Sequence, residues 1–126
     1  MILPGVGSFD NGMSNIIHSG WLRQLQHHVI EKRNPILGIC LGMQLLFEKS
    51  SEFGNTRGMG LIKGNVVKLP INKVPMIGWN KIKFKINKYD LKKFEHYFFY
   101  YVHSYYCNSN EIFDFEGKSQ VENLKY

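Results

Sequence analysis

The sequence predicts an α/β fold in which helices cross between parallel strands and a smaller antiparallel portion follows. Three observations carry this. Short apolar runs alternate with segments of helical spacing from Met1 to Glu48. Glycines stand where the first two apolar runs end, at Gly5 and Gly7 and at Gly38 and Gly42. Beyond Gly60, further apolar runs follow one another too closely to hold crossover helices between them.

Taken in order, Met1-Ile2-Leu3 reads as a short strand entering the loop Pro4-Gly5-Val6-Gly7. A strand with no turn or helix before it is an odd opening for a domain, and it suggests that an upstream βα unit is absent. The loop's N–H groups could cradle a phosphate, but the full dinucleotide fingerprint is missing; the same groups could serve an oxyanion. Ser8 and Asp10 can cap the next element, where Met13, Ile16, Ile17, Trp21, Leu25 and Val29 keep helical spacing to about Arg33. Gly20 weakens that helix, and Asn34-Pro35 end it.

Pro35-Ile36-Leu37 is the next strand, and Met43, Leu46 and Phe47 are spaced as one face of the helix that follows. Lys49 to Gly60 reads as a loop. Val66, Val67 and Leu69 suggest a strand, as do Val74 to Ile77 and the alternating Ile82 to Ile86, with Gly78-Trp79-Asn80 as an interrupting turn. Tyr97 to Val102 is another strand, ending at His103-Ser104-Tyr105-Tyr106.

The chain of 126 residues, 44% hydrophobic, suits one domain with a sizeable core. No apolar run approaches a membrane span and no signal peptide is visible, so the expected compartment is the cytoplasm, with no membrane partner. Cys40 and Cys107 are too few for a disulfide framework and lack metal-ligand spacing, so both are expected reduced, with no metal and no cofactor. The net charge of +6 comes largely from nine lysines between Lys63 and Lys93. Lys81, Lys83 and Lys85 alternate with Ile82, Phe84 and Ile86, as on the wet face of a strand, and no nucleic-acid motif accompanies them.

The chemistry concentrates in Gly38-Ile39-Cys40-Leu41-Gly42, at a strand-to-helix turn. A glycine two residues to either side lets the backbone turn sharply, so that Cys40 can be held strained and exposed. Unpaired N–H groups at the start of the next helix would favour the thiolate and stabilise an oxyanion formed on its attack. That spacing favours a nucleophile over a small core residue.

The stretches LPGVGSF from Leu3, GICLGMQLLFE from Gly38, VPMIGWN from Val74 and VHSYY from Val102 together resemble class I glutamine amidotransferases. Within that family the resemblance is to the glutaminase subunits of imidazole glycerol phosphate synthases. It implies a mixed sheet with flanking helices, here lacking the first βα unit and part of the C-terminal strands, as a single partial domain over residues 1–126. It also implies attack of Cys40 on the side-chain amide of L-glutamine, giving a glutamyl thioester and ammonia for histidine biosynthesis. By the same resemblance, Gly5, Val6, Gly7 and Leu41 form the oxyanion hole, and Gln44, Glu52, His103, Ser104 and Tyr105 hold the substrate. The implied partner is a (β/α)₈-barrel cyclase subunit in a heterodimer, with Trp79, Asn80 and Lys118 toward it.

The final motif departs from the family pattern. Aligned on Lys118-Ser119-Gln120, Phe115 stands where relatives carry a catalytic His and Gly117 where they carry Glu, with Glu116 one residue out of register. Phenylalanine cannot move a proton, and such transfer is worth roughly 10²–10⁴ in rate. A catalytically impaired pseudo-glutaminase that only binds a synthase partner is therefore an alternative, as is a glutaminase feeding a sugar amidotransferase in surface-polysaccharide synthesis. His18, His27, His28 and His96 read as surface residues, and only His103 lies in a strand-end motif near the expected site.

Overall fold

In the computed structural model, which describes residues 1–84, 90–109, 117–121 and 124–125, strand β1 (Ile2–Leu3) pairs in parallel with β2 (Leu37–Gly38). Between them run helices α1 (Phe9–His18) and α2 (Trp21–Gln26), the latter continuing into a π turn over His27–Glu31. Strand, crossover helices and parallel strand form the unit the sequence pattern predicts. The expected single helix to Arg33 is divided, however. Gly20 adopts φ +75, the Ser19 N–H donates to Asn15 O and the Gly20 N–H to Ile17 O, so the glycine ends α1 in a left-handed cap instead of merely weakening it.

Helix α3 (Leu41–Leu45) follows β2 and is shorter than the spacing of Met43, Leu46 and Phe47 suggests. Leu45, Leu46 and Phe47 are all buried, and three consecutive residues cannot share one helical face. The backbone changes course instead: Phe47 opens β3 (Phe47–Ser50), which runs parallel to β5 (Ile62–Lys68) and antiparallel to β4 (Thr56–Arg57). Lys49 and Ser50, at the start of the expected Lys49 to Gly60 loop, and Thr56–Arg57 within it are thus strand. A strand β8 (Tyr105–Asn108) completes the order β4-β3-β5-β8.

Met1–Lys68 and Cys107–Asn110 make up one of two units into which the chain divides. Its core contains Phe9, Met13, Leu25, Leu41, Leu45, Leu46, Phe47, Met59 and Val66. Phe9 and Val66 are fully enclosed, each such burial worth roughly 1.5–3 kcal/mol. At Gly12 the two helices meet closely, because a Cβ there would stand 3.1 Å from Leu45 Cδ1 and 3.2 Å from Leu41 Cδ2. By contrast, Ile2, Leu37 and Ile39 on the two-stranded sheet are about half exposed or more.

The other unit, Leu69–Tyr106 with Glu111–Tyr126, holds an antiparallel sheet ordered β10-β9-β6-β7. Its strands are β6 (Met76–Phe84), β7 (Phe98–His103), β9 (Gly117–Val121) and β10 (Leu124–Lys125). The Gly78-Trp79-Asn80 turn expected from composition is the middle of β6. Those residues pair with Tyr101, Tyr100 and Phe99, and aromatic cross-strand pairing favours extended backbone there. Lys81 and Lys83 are exposed while Ile82 and Phe84 are half-buried, as their alternation predicts; Lys85 and Ile86 lie outside the described residues. Gly117 pairs with Phe84 and sits under its ring and Ile82, where a Cβ would stand 2.7 Å from Ile82 Cδ1.

Candidate active site

Parallel pairing of β1 with β2 brings the loops at their carboxyl ends side by side. The Leu37 N–H donates to Met1 O and the Ile39 N–H to Leu3 O, each at 3.0 Å, so Pro4 to Gly7 leaves the sheet next to Ile39-Cys40. This is where open parallel sheets bind ligands. The elbow then closes tightly: the Gly42 N–H donates to Ile39 O at 3.0 Å, and Cys40 O accepts from Met43 N–H at 3.0 Å and Gln44 N–H at 3.2 Å.

Cys40 itself has φ 54 and ψ −119, a conformation costing a non-glycine residue roughly 1–3 kcal/mol, and its side chain is exposed. The flanking glycines explain how this is tolerated. A Cβ at Gly38 would stand 2.5 Å from Met43 Cα, and one at Gly42 would overlap the carbonyl oxygen of Leu3. Both are small because α3 folds back directly onto β2 and the end of β1. Gly5 completes the contact, since a Cβ there would lie 3.1 Å from Gly42 N and 3.2 Å from Leu41 Cβ. Gly7 takes φ +95, with open space around it. Cys40, Leu41 and the Gly5–Gly7 backbone are thereby assembled at one end of the two-stranded sheet.

Gln44 follows one turn after Cys40 and is half-buried. Glu52 enters from the loop after β3 and accepts a hydrogen bond from Phe9 N–H on Oε2 at 2.8 Å. Nothing in sequence spacing signals this contact across 43 residues. Ser8 occupies the N-cap position of α1 without a side-chain capping bond; its hydroxyl, with the Asn11 backbone, instead holds the Asp10 carboxyl below the usual range.

The remaining residues singled out above lie in the other unit. His103 ends β7, its Nδ1 is 2.9 Å from Tyr105 O, and Ser104 O accepts from Leu69 N–H at 2.9 Å. Trp79 is 66% exposed on β6 and packs against Tyr100 with ring centroids 5.3 Å apart. Lys118 pairs with Lys83 and so shares the face of Trp79, whereas Asn80 alternates to the opposite face. Phe115 and Glu116 lie outside the described residues. Among the described residues there is no cluster of His, Cys, Asp and Glu that could hold a metal ion, and no helix long and apolar enough to cross a membrane.

A family model described as glutamine amidotransferase class-I matches residues 1–124. The chain belongs to this family. It is 51% identical over 118 residues to the imidazole glycerol phosphate synthase subunit HisH of Caldanaerobacter subterraneus, covering 92% of this chain and 57% of that protein. The HisH subunits of Aquifex aeolicus and Bacillus subtilis are 49% and 45% identical, over 83% and 87% of this chain and 51% and 55% of theirs. The chain thus spans about half the length of the curated relatives it matches. A crystal structure of a glutamine amidotransferase superposes with TM-score 0.57 at 14% identity, covering 82% of this chain and 49% of that one, a likeness of fold. None of these relatives carries a sugar-amidotransferase name, so that acceptor is not favoured.

Proposed function

We propose that this chain supplies the nucleophile site of a glutaminase that releases ammonia from L-glutamine for a cyclase subunit in histidine biosynthesis. The observation that carries the reading is the exposed Cys40 at φ 54, ψ −119 with the Gly5 loop packed against Leu41 and Gly42. Because the family model runs through both units, we read them as parts of one domain.

In this reading the Cys40 thiolate attacks the side-chain carbonyl carbon of glutamine. The carbonyl oxygen becomes an oxyanion and is held by the Leu41 N–H together with N–H groups of Gly5 to Gly7. Fixed donors of this kind stabilise such a centre by roughly 2.7–4 kcal/mol each. Collapse of the intermediate, with a proton taken up from solvent by the departing nitrogen, expels ammonia and leaves a thioester, which water hydrolyses to glutamate and the free thiol. Gln44 and Glu52 would line the same site, and the family resemblance alone gives His103, Ser104 and Tyr105 a substrate-holding role. The cyclase would be met by the exposed face of β6 and β7, where Ile77, Trp79, Tyr100 and Val102 are each more than half exposed, with Lys118 on the same face. Asn80, on the opposite face, would act from behind it.

A second reading, in which the chain binds a synthase partner without turnover, is favoured by one observation: Phe115 at the position of the family's histidine. The two readings part at proton transfer, after substrate capture. Exposure to a diazoketone analogue of glutamine is expected to give one covalent adduct by mass spectrometry, on Cys40, and none in Cys40→Ser. Ammonia release in the presence of the cyclase would then establish turnover. If iodoacetamide modifies Cys40 but the glutamine analogue does not, the glutaminase site is refuted.

A further inference from the structure

The loop that would hold the oxyanion is only as useful as it is fixed. Its downstream end runs through Gly7, at φ +95 with open space around it, and Ser8 into α1, whose N-cap side chain makes no capping bond. A helix begun without a cap frays at the first turn, and fraying here would loosen the backbone that follows Gly5. The bond that ties down this end comes from elsewhere in the unit. Glu52 Oε2 accepts from the N–H of Phe9, the first residue of α1, at 2.8 Å in a partly buried setting.

Glu52 is itself anchored. Its own N–H donates to the hydroxyl of Ser50, which is fully buried, and the neighbouring Ser51 N–H donates to Val66 O at 3.0 Å, tying the loop to β5. On the other side, the Phe9 ring is fully enclosed and packs beside Gly58. The carboxylate therefore joins a strand-anchored loop to the residue two positions beyond Gly7. A negative charge at a helix's first turn is also favoured by the helix dipole.

We infer that Glu52 is a positioning residue for the Gly5–Gly7 loop: by capping α1 from the loop after β3 it holds the loop's N–H groups in place beside Leu41. The inference rests on the glutaminase reading for its purpose, but the tether can be tested without it.

The test compares Glu52→Ala with Glu52→Gln in the full chain, because the carboxamide oxygen of Gln can still accept from Phe9 N–H. Nitrogen-15 relaxation of Gly5, Val6 and Gly7 and hydrogen exchange at Phe9 are measured without ligand. Loss of a hydrogen bond to a charged group predicts that Ala speeds Phe9 exchange by about tenfold or more and loosens the loop, while β5 amides stay unchanged. Gln should stay near the parent chain in both. If the loop is as ordered in the Ala variant as in the parent, the inference is overturned, whatever Cys40 does. In chemistry, capture of Cys40 by the glutamine analogue, measured relative to capture by iodoacetamide, which needs no oxyanion support, should fall about tenfold in Ala and stay near the parent in Gln, whereas loss through a direct charge contact with the substrate would appear in both. A parent chain that the glutamine analogue fails to label sinks the glutaminase reading alone, and the relaxation result still decides the tether.

Discussion

Cys40 and Cys107 belong to the same unit of the chain and are treated by it in opposite ways. Cys40 stands exposed at φ 54, between Gly38 and Gly42, where no side chain could fit, and beside the Gly5 loop. Cys107 lies within strand β8, where burial pushes its thiol up from 9.0 to about 12. One is held where it can react, and the other is kept protonated as packing. The difference lies in the backbone around each sulfur, which is why a cysteine's neighbours say more about its chemistry than the cysteine does.

The largest expected effect follows directly. Burial that holds the Cys107 thiol near 12 instead of 9.0 leaves roughly a thousandth of its thiolate at neutral pH, so iodoacetamide should modify Cys107 on the order of a thousandfold more slowly in the folded chain than in the unfolded one, while the exposed Cys40 reacts in both. Peptide mapping after timed alkylation reads this ratio, and a Cys107 rate unchanged by unfolding would break the contrast. The pH dependence carries a definite sign. Because folding raises the Cys107 value, the neutral thiol is the form the fold favours. That contribution is complete below pH 9.0 and is lost as pH rises from there through about 12. Cys107→Ala should therefore flatten the alkaline fall in stability relative to the parent.

Next in size is Gly42→Ala, which attacks the turn without touching the sulfur. The added methyl would overlap the Leu3 carbonyl, and backbone on both sides leaves no flexible side chain to yield. A loss of about 3 kcal/mol in unfolding free energy is expected, read by denaturant titration, with the alkylation contrast reduced in whatever remains folded. Gly20→Ala, at positive φ but with open space around it, should cost only about 1 kcal/mol.

Much of this site was legible from the chain because its logic is local. A strand, a glycine, one residue, the nucleophile, one residue and a glycine specify the elbow within five positions, Gly38 to Gly42. The strand and loop at Met1 to Gly7 were readable for the same reason, and parallel pairing then had to bring the two together. What could not be read depends on distant partners. Phe47 leaves helical spacing because it pairs with Ile62, Trp79 is extended because Tyr100 lies opposite, and Glu52 reaches Phe9 from 43 residues away. Gly20 lay between these cases: its presence was plain, but composition cannot distinguish a weakened helix from a terminated one.

The smallest effect tests the comparison most sharply, because it predicts opposite signs for one substitution. Cysteine at φ 54, ψ −119 pays roughly 1–3 kcal/mol that glycine does not, set against about 0.4–1 kcal/mol of added chain entropy in the unfolded glycine variant. Cys40→Gly should thus stabilise the fold, by about 1 kcal/mol, while removing the sulfur. Cys107→Gly relieves no such strain; it deletes a half-buried side chain from a strand and should destabilise by about 1–2 kcal/mol. Paired denaturation curves decide the matter. If both variants lose stability, Cys40 is held in place for packing like its counterpart. A gain at position 40 would mean that the fold keeps a residue there against its own stability, which is what a sulfur retained for its chemistry requires.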